Sequence, residues 1–144
     1  MGGRHEKVSE SAIMPADTDA ALDRYCPDLA HWPQTWKHEE GDVPIGQSLV
    51  EQFKPFLLYL LRQPLSDKTR ARDRDHLWML GGEIIRRRHD DASLARQSVK
   101  VLLFNLVEEE GGPLIWPRIS EPEQKSFDAT CRKLYRFLQS NKTR

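Results

Sequence analysis

The stretch from Leu65 to Arg88, LSDKTRARDRDHLWMLGGEIIRRR, constrains the fold of this chain more than any other. It opens on a helix-start signal, with Ser66 as N-cap and Asp67 at the positive end of the helix dipole. Leu77, Leu80, Ile84 and Ile85 recur at helical spacing as one inward stripe, with Trp78 on its edge. Lys68, Arg70, Arg72, Arg74 and the closing Arg86, Arg87 and Arg88 point mostly away from that stripe. The pattern predicts one long helix, apolar inside and cationic outside. The final three arginines also suit the negative end of the helix dipole. Gly81-Gly82 in mid-helix costs about 1 kcal/mol per glycine relative to alanine. A close neighbour or a bend would account for the pair.

Helical periods flank this stretch on both sides. Leu49, Phe53, Phe56, Leu57, Leu60 and Leu61 form an apolar stripe ended by Gln63-Pro64, with Pro55 expected to kink the helix or break it near Gln52. A turn at residues 89–93 leads to a third helix over about 97–109. Val99, Leu102, Leu103, Leu106 and Val107 face inward there, and Gly111-Gly112-Pro113 ends it. The segment LIWPRI reads as a loop in which Trp116 covers the end of the bundle. Ser120 and Glu123 form a capping box for the last helix, with Phe127, Cys131, Leu134, Tyr135 and Leu138 inward. Lys125, Arg132, Lys133 and Arg136 form a second basic face. The expectation is an all-α, compact bundle of four to five helices over residues 45–144.

Residues 1–44 look different. Prolines at 15, 27, 33 and 44 forbid a long helix, and four bases stand against nine acids, a net of −5. The remaining residues carry eighteen bases against thirteen acids, a net of +5, so a total charge of zero hides an acidic arm on a basic body. The arm is expected to be irregular and, over its first fifteen or so residues, disordered. A short helical turn is possible from Asp17 to Tyr25. Trp32 and Trp36 either dock the arm on the helical body or, with Trp116, anchor a protein partner.

The two cysteines, Cys26 and Cys131, form no Cys-x-x-Cys pair and suggest a reduced, cytoplasmic chain. No apolar run approaches the roughly 18 residues a membrane span requires. No glycine-rich phosphate loop occurs. The only dense groups of metal-type donors are His38-Glu39-Glu40 and His89-Asp90-Asp91. Adjacent residues point in different directions, so each group by itself reads as a solvated loop. No nucleophile with a supporting histidine is legible, and His76 reads as a surface or half-buried helix residue. No enzyme, no cofactor and no small-molecule substrate is expected.

The body resembles the N-terminal core-binding, SAM-like domain of tyrosine recombinases and phage integrases. The likeness rests on FLLYLL, then LSDKTRARDRDHLWMLGGEI, then a short helix and SFDATCRKLYRFL. Ser66, Thr69, Arg70, Leu77, Leu80, Leu134, Tyr135, Phe137 and Leu138 occupy the pattern's places. The resemblance implies a domain that clamps duplex DNA, here without a catalytic domain, since no His-x-x-Arg box is present. It suggests a non-catalytic module of mobile-element origin. Lys68, Thr69, Arg70, Arg72, Arg74, Lys125, Arg132, Lys133 and Arg136 would be its DNA-facing residues. Asp73 and Asp75, interleaved with those bases, leave a second reading open. In that reading the fold serves protein–protein interaction and DNA binding is lost.

Overall fold

The computed structural model describes residues 15–142, and no strand occurs among them. Seven α-helices follow in order: α1 (Pro15–Tyr25), α2 (Trp32–Trp36), α3 (Asp42–Arg62), α4 (Asp67–Asp90), α5 (Ala92–Ala95), α6 (Val99–Leu106) and α7 (Glu121–Lys142). A 3-10 turn, Leu29–His31, links α1 to α2. The all-α expectation holds: α3 to α7 make up the body, and the two further helices, α1 and α2, lie in the segment expected to be an irregular arm. No described helix is long and apolar enough to cross a membrane.

The acidic arm is less irregular than expected: the helical turn read from Asp17 to Tyr25 is α1, and Trp32 and Trp36 dock on the body as the first of their two readings has it. Its first fourteen residues, expected to be disordered, lie outside the described ones. The rest is no loose appendage. Leu22, Cys26, Leu29, Trp32 and Trp36 are all buried and share one hydrophobic core with α3, α4, α6 and α7. Their spacing of three and four residues is itself a helical stripe, carried through α1, the 3-10 turn and α2. Pro33 does not interrupt it, because in the first turn of α2 no backbone donor is needed. Burial of each indole is worth roughly 4–6 kcal/mol before ordering costs. Trp32 is 2% exposed and Trp36 5%, so neither is available to a partner. The Gly81-Gly82 pair is explained by the same packing. A Cβ on Gly81 would lie 2.2 Å from Cζ2 of Trp36, so the glycine is the floor of a slot for that ring. The indole Nε1 also donates to the carbonyl of Trp78 at 2.9 Å.

The long helices follow their stripes. In α3, Leu49, Phe53, Phe56, Leu57 and Leu60 are buried, and the helix runs unbroken through exposed Pro55. Helix α4 buries Leu77, Leu80, Ile84 and Ile85, as its pattern requires. The third helix expected over 97–109 is α6, shorter at both ends, and the stretch after α4 that was expected to be only a turn holds the four-residue α5. Ser98 starts α6 by accepting the N–H of Val101, and the chain turns at Gly111 with φ +153°. A side chain at Gly111 would also meet Asp128, at 2.7 Å. The capping box at α7 forms as read: Ser120 Oγ accepts from Glu123 N, and the Glu123 carboxylate accepts from Ser120 N. Trp116, expected to cover the bundle end, is 46% exposed in the loop before α7.

Candidate nucleic-acid interface

Ser66 begins α4 by accepting the N–H of Thr69 at 3.1 Å, and the two hydroxyls hydrogen-bond at 3.0 Å. Thr69 therefore completes a cap. From this start every side chain of α4 has a fixed direction, and the basic residues divide between two roles. Arg70 turns inward. Its Nε donates to the carbonyl of Leu60 and its Nη2 to those of Gln63 and Leu61, so it closes the C-terminus of α3. Arg74 does the same for α1, donating to the carbonyl of Tyr25 at 2.9 Å and lying over the Tyr25 ring at 5.8 Å. The Tyr25 hydroxyl in turn donates to the carbonyl of Arg70. Burial, with Asp73 nearby, raises the pKa of that phenol, so it remains a donor. Arg70 and Arg74 are thus engaged inside the fold, contrary to the expectation that they face outward.

Asp73, on the core-facing register of α4, is fully buried. Lys133 Nζ donates to it at 2.6 Å and Thr130 Oγ1 at 2.8 Å. The Thr130 hydroxyl also meets Nδ1 of His76 at 2.7 Å, and the His76 ring stands edge-on to Phe127. Burial lowers the His76 pKa. Asp73 meets 133 and 130, and His76 meets 130 and 127, so α4 and α7 run antiparallel here. This network sits beneath the seam between them. Lys133 serves Asp73, and Arg132 donates to the carbonyl of Glu110.

The outer edges of the same pair hold the other cations. Lys68 and Arg72 on α4, and Lys125 and Arg136 on α7, are exposed and have no hydrogen-bond or ion-pair partner among the described residues. The antiparallel register puts the Arg136 end of α7 beside the Lys68 and Arg72 end of α4. Asp75, an acid that could compete, is held by Arg74.

The triple arginine at the end of α4 is not an outward face. Glu83, 4% exposed, accepts from Arg86, Arg87 and Arg118, the last bringing in the loop before α7. Burial opposes ionisation of Glu83, but the hydrogen bonds from those three guanidinium groups outweigh it and hold its pKa at about 2. Arg87 further donates to the carbonyl of Leu114, and Arg88 to that of Ala95.

Sequence reasoning missed both buried acids, although a signal existed. Asp73 lies four residues before Leu77, and Glu83 three after Leu80, so each occupies the apolar register of α4. An acid there must be paired. Of the proposed protein anchors, only Trp116 remains at the surface, beside 60% exposed Leu114. No family model, curated protein or solved structure matches this chain.

Proposed function

We propose that this chain is a non-catalytic DNA-binding module whose α4–α7 pair lies against the phosphate backbone. The observation that carries the reading is the set Lys68, Arg72, Lys125 and Arg136: four exposed cations, without partners among the described residues, on one antiparallel helix pair. Lys125 to Arg136 spans about 16 Å along α7. Duplex DNA carries a charge about every 3.4 Å per strand, so this span covers several phosphates. Such contacts supply affinity and register and carry little base sequence information. The likeness to recombinase core-binding domains, and with it a mobile-element origin, belongs to the same proposal. Arg132 would add a fifth contact by leaving the Glu110 carbonyl.

Fluorescence anisotropy of the full chain with a labelled duplex tests this. Four phosphate contacts predict a slope of about −3.6 in log K against log salt. Absence of binding at low salt, or equal binding by an Arg72→Ala/Arg136→Ala variant, would refute it. A protein-interaction role is the second reading, favoured by the exposed pair Leu114 and Trp116. It predicts that the full chain does not bind the duplex and that Trp116→Ala weakens binding to a protein partner.

A further inference from the structure

The two groups of metal-type donors that look inert in the sequence meet in the fold. His38 and Glu39 precede α3, and His89 lies in the last turn of α4. The His38 and His89 rings stack with centroids 4.7 Å apart. At the edge of the His89 ring lies Asp42, 3% exposed, whose two carboxylate oxygens are each 2.9 Å from Nε2 of His89. One of those oxygens also accepts the backbone N–H groups of His38, at 2.7 Å, and Glu39, at 3.1 Å. The carboxylate is therefore aimed from behind by the main chain. One donor atom each from Glu39, Asp42 and His89 lies within 4.8 Å of the others.

We propose that Glu39, Asp42 and His89 bind a transition-metal dication of the zinc class, clipping the start of α3 to the end of α4. One imidazole and two carboxylates are a donor set that zinc accepts, whereas magnesium and calcium favour oxygen ligands throughout. Two carboxylates balance the charge of a dication. The other acids beside the cluster are already paired, Glu40 with Lys37 and Asp90 with Arg86. Zinc bonds of about 2.0–2.2 Å hold ligand atoms about 3–4 Å apart, so the exposed Glu39 side chain swings inward by about 1 Å while Asp42 and His89 stay near their present places. His89 then carries its ring proton on Nδ1, and the metal takes the position of the proton between Nε2 and Asp42. Water, or a rotated His38, completes the tetrahedron. The site stands at the far end of α4 from Arg72, about 25 Å along the helix, and is independent of the DNA-binding proposal.

The test is a titration of the chelator-stripped full chain with zinc chloride, followed by calorimetry and by thermal melting, with magnesium chloride in parallel. One equivalent of zinc is expected to bind and to raise the melting temperature, and magnesium to do neither. His89→Gln keeps a donor toward Asp42 but is a poor metal ligand, and Glu39→Gln changes an exposed side chain. Each should weaken zinc binding at least about tenfold, with the circular dichroism of the metal-free protein unchanged. Should His89→Gln fail to fold, Glu39→Gln decides alone. No saturable binding by the parent chain, or unchanged affinity in either folded variant, overturns the site.

Discussion

In the last two turns of α4, Arg86, Arg87 and Arg88 all end on partners inside the molecule, whereas Arg72, near its start, ends on none. The two halves read alike as sequence. What separates them is the location of the buried acid. Glu83 gathers three arginines, two from its own helix and one from the loop before α7. Asp73 is satisfied from across the seam by Lys133 and Thr130, so it makes no demand on Arg72. Arginine near an unpaired buried carboxylate becomes structure. Beside a carboxylate already satisfied, an arginine stays available to a ligand, as Arg72 does, unless the end of a neighbouring helix claims it, as α3 claims Arg70 and α1 claims Arg74.

The comparison is broken most severely at Glu83. Glu83→Ala leaves Arg86, Arg87 and Arg118 without their shared acceptor and should cost about 3–5 kcal/mol in urea unfolding. A small loss would mean that the C-terminal half of α4 is not organised by this acid. The same group gives a pH signature. Its folded pKa, about 2, lies below its ordinary value, so its stabilisation is complete above about pH 4.5 and is lost as pH falls toward 2. The stability gap between parent and Glu83→Ala should therefore narrow over that window.

Gly81→Ala comes next. The added Cβ displaces Trp36 and should cost about 1–3 kcal/mol, with a change in tryptophan emission as the ring leaves its slot. The smallest effect on stability is expected at the other half of α4 and the end of α7 that packs beside it. Arg72→Ala with Arg136→Ala should alter stability by less than about 0.5 kcal/mol. The same pair should flatten the salt dependence of DNA binding by about one unit of slope per residue removed. A large stability loss there would erase the distinction between the two halves.

The long stripes of α3, α4 and α7 and the two serine caps were legible in the sequence because the information is local: a period, and a cap residue at its start. The stripe from Leu22 to Trp36 was equally periodic but was hidden by Pro27 and Pro33, which suggest an irregular arm when only helix breaking is considered. Pro27 falls where α1 ends, and Pro33 falls in the first turn of α2. Of the candidate interface, Lys68, Arg72, Lys125 and Arg136 could be placed from helical phase alone. The inward turn of Arg70 and Arg74 could not, because the carbonyls they close belong to α3 and α1. The meeting of Asp42 with His89 spans 47 positions of sequence and leaves no local trace.

The seat of Trp36 on Gly81 bears on how this chain can be divided. A cut at residue 44, where charge and composition change, would strip two indoles, two leucines and a thiol from the sides of α3 and α4. The remaining piece would present a wet, greasy furrow with no residue of its own large enough to fill it. Such a fragment would self-associate, and its behaviour toward any ligand would report the injury. Shortened versions of this chain must keep everything from Leu22 onward.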